Sequence, residues 1–151
     1  MEKLSPDTII GIDLGTTNSC AAVAFGDGQV KLVPYKGGDY TIPSIFAVDE
    51  KGNELVGHDA KRQWQLNPRN TLYATKRLIG RAPKDEVVET VQRSVQYKLH
   101  PGSHNDVELD VRGRAFQVQE IASRILACNS LSAPWAKSSR IAIRIALLSL
   151  Y

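Results

Sequence analysis

The sequence predicts an α/β fold, and three observations carry that prediction. Short runs rich in β-branched residues, "IIGID" first among them, have strand length and end at turn residues. Glycine-containing turns, Gly26-Asp27-Gly28 and Arg112-Gly113-Arg114, sit between such runs at hairpin spacing. Apolar residues recur at helical spacing in "KDEVVETVQRSV" and "QEIASRILA".

Taken in order, residues 8–13, 19–25 and 29–34 read as three buried strands. Asp-Gly between the last two makes them a hairpin, so the chain starts as an antiparallel meander with "LGTTN" as its first turn. "YTIPSIFAVDEKGNELVG" adds two short strands around a turn from Asp49 to Asn53. Pro43 belongs at a strand start or edge, since it has no N–H for a ladder. "GHDAKRQWQLNP" predicts a helix from about Asp59, with Asp59 as N-cap and Trp64 as a packing residue on it. It should stop near Asn67, because the residue before Pro68 disfavours helix. "TLYATKRLIG" predicts a second short helix, with Leu72, Leu78 and Ile79 apolar and Gly80 at its stop. In "KDEVVETVQRSV", Val87, Val91 and Val95 share a helical face, although valine also suits strand at the segment's end. "VELDVRGRAFQV" alternates and reads as a hairpin. "QEIASRILA" puts Ile121, Ile125 and Leu126 on one helical face. Beyond it, "CNSLSAPWAKSSR" loses the periodicity, and "RIAIRIALLSLY" alternates like a strand.

Composition narrows the function classes. With 42% hydrophobic and 23% charged residues in 151, a buried core is expected rather than disorder. The net charge of +3 is small, and the basic residues are scattered among acids, which argues against nucleic acid. No apolar run approaches the ~20 residues that span a bilayer; Arg144 interrupts the last one. "MEKLSPDT" lacks a signal peptide's basic-then-apolar layout. Two cysteines, Cys20 and Cys128, make no disulfide framework and fit a reducing compartment, with Cys20 a small core residue. His58, His100 and His104 lie in polar, loop-like stretches and read as surface histidines.

The chemistry concentrates in the first turn. A Gly-Thr turn between strands presents N–H groups and hydroxyls in one direction, and such donors suit phosphate oxygens. The carboxylate of Asp13 would repel a bare phosphate. It makes sense beside a Mg²⁺ ion that keeps several waters. An ordinary polar hairpin turn fits this stretch equally well. The commoner phosphate loops, G-x-x-x-x-G-K-[ST] and G-x-G-x-x-G, are absent, as are H-E-x-x-H and paired C-x-x-C. By itself, Lys76 reads as a solvated lysine.

Three stretches carry a resemblance. "IIGIDLGTTNSCAAV" resembles the first phosphate motif of the DnaK-type chaperones, the seventy-kilodalton heat-shock family. "GHDAKRQWQLNPRNTLYATKRLIGR" resembles that family's segment from G-x-x-A-K-R-Q through N-P-x-N-T to K-R-L-I-G-R. "YTIPSIFAV" matches its T-x-P-S strand, in the same order and spacing. Actin and sugar kinases share a related D-x-G-[TS], but sugar kinases lack "TKRLIGR". The likeness covers roughly residues 7 to 127.

The resemblance implies an actin-like ATPase (ribonuclease H-like) fold, truncated. Residues 1 to about 35 would begin the core subdomain. Residues 36 to about 115 would form an inserted subdomain, and a helix near 117–128 would return to the core. By family analogy, Asp13 orients the water shell of Mg²⁺. Gly15, Thr16, Thr17 and Asn18 hold the β- and γ-phosphates of ATP. Lys76 positions the attacking water and stabilises charge at the γ-phosphate, and Arg77 adds positive charge. Phosphoryl transfer relies mostly on such positioning and electrostatics. The implied function is ATP binding within a cytoplasmic, stress-responsive protein-folding chaperone. The parent's partners would be nucleotide, unfolded polypeptides, a J-domain co-chaperone and a nucleotide-exchange factor.

After "EIASRIL" the family continues into an apolar strand ending in a V-P-A-Y-F type sequence, whereas residues 128–151 match poorly. On this reading the second phosphate loop, the adenosine-binding segment and the rest of the catalytic centre are missing. The chain would bind ATP weakly and hydrolyse it slowly or not at all. The alternatives are a non-functional remnant and a phosphotransferase of the same superfamily. We hypothesise that a frameshift or misread produced the divergent tail. Translating the coding DNA in its other frames beyond codon 127 is then expected to give a "VPAYF"-like continuation, and finding none in either frame removes the idea.

Overall fold

The computed structural model describes residues 9–35 and 37–131, with side chains as far as 128. The expected strand at "RIAIRIALLSLY" and most of the divergent tail lie outside the described residues.

The chain begins with β1 (Ile9–Leu14) and β2 (Asn18–Ala24), paired antiparallel down to Leu14 opposite Ser19. Their alternation points Ile10, Ile12 and Leu14, and Ser19, Ala21 and Val23, inward. β3 (Val30–Leu32) completes the expected meander, but it is exposed along its length rather than buried, because it pairs only at the outer end of β2. In the turn before it, Phe25 N–H donates to the Gln29 carbonyl at 2.9 Å, and the Asp27 carboxylate accepts from Gln29 N–H. A fourth strand, β4 (Thr41–Pro43), shares the same edge of β2, opposite Asn18 to Cys20. Pro43 therefore ends an edge strand, where its missing N–H costs no ladder bond.

A second sheet has the order β6-β5-β7, from β5 (Phe46–Val48), β6 (Glu54–Val56) and β7 (Thr71–Leu72). The turn joining β5 to β6 is held by the Asp49 carboxylate, which accepts from the N–H groups of Lys51 and Asn53 and from the Asn53 amide. The third sheet is β10-β9-β8, from β8 (Lys98–Pro101), β9 (Val107–Val111) and β10 (Arg114–Gln117). Its predicted hairpin turns on Arg112 and Gly113, both at positive φ (52° and 75°), a two-residue geometry that matches the twist of the strands.

The helices depart from the sequence expectation in instructive ways. α1 (His58–Arg62) is capped by Gly57 at φ 69°, not by Asp59, and ends well before Asn67. Trp64 thus lies beyond the helix and stacks on Tyr73 at 4.3 Å. The expected helix over "TLYATKRLIG" is instead β7 followed by a 3₁₀ turn, Thr75–Leu78. Pairing of Phe46 with Leu72 captures the first half in the sheet. Left-handed Ala74 (φ 56°) breaks the chain before the second half. α2 (Glu86–Ser94) is capped by Asp85, whose carboxylate accepts from Val87 N–H. Its inward residues are Val88 and Val91 rather than Val87, and Val95 is buried but already extended. His58 opens a helix and His100 lies on a strand, so neither is a loop residue. Cys20 is half-buried, because it alternates with the inward residues of β2. Neither cysteine forms a disulfide among the described residues.

α3 (Val118–Leu131) joins these layers. Ile121 and Ile125 are fully buried in a core with Leu14, Phe46, Leu72, Leu78, Tyr97 and Phe116, while Leu126 also packs on Ile10, Ile12 and Val23. Each such aliphatic side chain contributes roughly 1.5–3 kcal/mol. Arg124 clamps the helix from outside: its Nε donates to Glu54 Oε2 at 2.7 Å, a second nitrogen reaches Oε1 at 3.3 Å, and its guanidinium lies 5.2 Å from the Phe116 ring centroid. The Arg124 guanidinium holds the Glu54 carboxyl below its ordinary range, against a smaller opposing effect of burial.

Two outcomes follow. Ile121→Ala should cost about 3 kcal/mol, read from the urea midpoint. A carboxyl lowered in the folded state adds stability that is complete above its unfolded pKa and is lost as pH falls through the folded one. Glu54→Gln should therefore flatten the drop in urea midpoint between about pH 5 and about pH 3, where carboxylates titrate. The effect should be no more than about 1 kcal/mol, because the pair is partly solvated.

Candidate functional site

The β1–β2 turn consists of Gly15, Thr16, Thr17 and Asn18. It is tight: a Cβ placed on Gly15 would overlap the carbonyl oxygen of Asn18, so only glycine lets the chain double back here. Its far wall comes from the β4–β5 corner. The Ser44 hydroxyl donates to the Gly15 carbonyl at 2.8 Å, and Ser44 N–H donates to the Thr17 carbonyl at 2.8 Å. Ser19 Oγ lies 2.7 Å from Ser44 Oγ, and both serines are buried.

Opposite the turn stands the 3₁₀ segment that carries Lys76. Leu14, Gly15, Thr16 and Ser44 line one side of a crevice, Thr75, Lys76 and Ile79 another, and Ala122 and Ile125 of α3 its base. Lys76 is half-buried and its ammonium makes no ion pair among the described residues. The left-handed backbone of Ala74, worth about 1–3 kcal/mol of strain, sets the direction in which this segment leaves β7.

Gly15, Thr16 and Lys76 thus come together from segments far apart in sequence. The other expected residues lie around them. Asp13 is exposed, on the face of β1 opposite Ile12 and Leu14. Thr17 and Asn18 are exposed on the outer side of the turn. Arg77 faces a neighbouring groove with Arg81, Glu86 and Thr90. Ser44, Ser19 and Thr75 were not singled out from sequence. A serine directly after an edge-strand proline, inside the apolar run "IPSIF", is the signal that could have found Ser44.

The donor set suits an anion. Among the described residues the hydroxyls of Thr16 and Thr17 have no hydrogen-bond partner, and Lys76 adds a positive charge. The crevice itself is about 10 Å³, room for about one water, so any anion meeting these donors would sit at its mouth rather than inside it. Among the described residues there is no cluster of three metal-ligating side chains. A Mg²⁺ ion that keeps its waters needs no such cluster, and exposed Asp13 suits a water-mediated contact.

The chain is thus a mixed α/β arrangement of antiparallel sheets in which a Gly-Thr turn faces a lysine from a separate segment. The family model of the Hsp70 protein matches residues 9–133. The chain belongs to the Hsp70 family, whose domain is a chaperone-type ATPase with the actin-like fold and which binds ATP, typically with Mg²⁺. No helix among the described residues is long and apolar enough to cross a membrane.

Gly15→Ala should lower stability by about 1–3 kcal/mol, as overpacking does, whereas exposed Thr17→Ala should stay within about 0.5 kcal/mol. Thermal unfolding of both variants checks this, and equal effects would refute the tight-turn account.

Proposed function

We propose that this chain carries one half of a Mg-ATP phosphate clamp and, acting alone, binds the nucleotide weakly and hydrolyses it slowly or not at all. The observation that carries the reading is the convergence of Gly15, Thr16 and Lys76 on one crevice. In this reading the turn residues Gly15 to Asn18 donate hydrogen bonds to the β- and γ-phosphates. Lys76 offsets charge at the γ-phosphate, where electrostatic stabilisation matters most. Arg77 adds longer-range positive charge, and Asp13 orients waters around Mg²⁺. The bound ion would supply charge neutralisation between phosphate oxygens.

Weak binding has a physical basis. The crevice is too small to enclose a phosphate, so the donors contact one side of it only. A nucleotide site shared between two lobes gains much of its strength by closure. In the same reading, residues 1 to about 35 start the core subdomain, 36 to about 115 are the inserted subdomain, and the helix near 117–128 returns to the core. Packing of α3 on both the first and the second sheet supports that division. The parent protein would work in the cytoplasm on unfolded polypeptides, with a J-domain co-chaperone and a nucleotide-exchange factor.

A ligand that binds only the folded chain raises its stability by RT ln(1 + [L]/Kd), about 1.4 kcal/mol at tenfold excess over Kd. Millimolar Mg-ATP should give a small rise in unfolding temperature, and Lys76→Ala should remove it. Submicromolar binding by calorimetry would overturn the weakness. No shift at millimolar nucleotide would leave a remnant that does not bind.

A further inference from the structure

Ser44 does more than line the crevice. Its hydroxyl has one proton, and the geometry commits that proton to the Gly15 carbonyl, 2.8 Å away. The hydroxyl of Ser19 must then be the donor across the 2.7 Å contact to Ser44 Oγ. The Ser44 N–H meanwhile holds the Thr17 carbonyl at 2.8 Å. Two alternate carbonyls of the turn are therefore anchored on one residue, which is only 4% exposed.

The consequence follows from the planar trans peptide, in which C=O and the next N–H point in opposite directions. Anchoring the Gly15 and Thr17 carbonyls on Ser44 turns the N–H groups of Thr16 and Asn18 away from it. A free Gly-Thr turn could rotate these peptide planes and present carbonyl oxygens, which repel phosphate. We propose that Ser44, supported by Ser19, is a positioning residue that locks the turn in its anion-accepting orientation. Packing alone does not require it, since an alanine fills such a buried corner without a hydroxyl to satisfy.

The proposal rests on the phosphate reading of the turn for its ligand arm, and its test separates the two. Ser44→Ala, Ser44→Thr and Ser19→Ala are compared in the full chain by amide hydrogen exchange and by the unfolding temperature with and without Mg-ATP. In Ser44→Ala, exchange at the residue 44 amide, which the Thr17 carbonyl protects in the wild-type chain, should rise about tenfold relative to β9 amides, the scale of one lost hydrogen bond, and the Mg-ATP shift should vanish. Ser44→Thr, which keeps the hydroxyl, should restore both. Ser19→Ala keeps the bond to Gly15 and should give a smaller rise of about threefold; it serves as the deciding variant if Ser44→Ala does not fold. A variant that loses stability but keeps exchange at the residue 44 amide and the nucleotide-induced shift unchanged overturns the proposal. If the wild-type chain shows no shift, the phosphate reading fails instead. Exchange then decides the brace alone, with a rise supporting it and no change overturning it.

Discussion

The burial of one face of α3 is the constraint on which the rest of the structure depends. Ile121 and Ile125 leave almost no surface exposed, and the cluster around them includes residues from all three sheets. Each sheet has only three or four short strands and depends on burying an apolar face. Packed on a shared helix, they gain a common core. The same helix supplies Ala122 and Ile125 to the base of the crevice. Loss of α3 would therefore dissolve both the core and the juxtaposition of the turn with Lys76.

The turn follows a different logic. On the proposed reading it needs backbone N–H groups free for a ligand, yet loose backbone costs entropy when it must be ordered. The chain resolves this conflict from outside the turn, with buried hydroxyls and an N–H at Ser44 holding its carbonyls. Gly15 makes the doubling-back sterically possible, and β2 carries the second leg of the hairpin into the sheet. The clamp side is built in a comparable way. Pairing of Leu72 with Phe46 brings β7 into the second sheet, and the left-handed Ala74 sends the next turn towards the first.

The Arg124–Glu54 pair sits between these two arrangements. It joins α3 to β6 through a fork of two hydrogen bonds, and the guanidinium lies over the Phe46 and Phe116 rings. Partial burial makes such a pair stronger than an open surface ion pair, while leaving it responsive to acid. Its stabilising effect is modest beside the apolar core. Its geometric effect is to fix how the second sheet, from which Lys76 departs, rests on the helix.

Local chemistry by itself determined much of this protein. The strands of the first hairpin, the Gly26–Gly28 and Arg112–Gly113 turns, and the apolar face of α3 were all legible, because alternation, positive-φ turns and helical spacing are encoded in neighbouring residues. The family segments around Gly15 and Lys76 were legible as well. Only tertiary structure decided that "TLYATKRLIG" is strand and 3₁₀ turn rather than helix, since its fate hangs on Phe46, far away in sequence. It also decided that Gly57 caps α1, that Val88 replaces Val87 inside, and that Cys20 stays half-buried. Above all, it decided that Ser44 braces the turn, because the residues around Ser44 can mark it as unusual but cannot say that its hydrogen bond runs to residue 15.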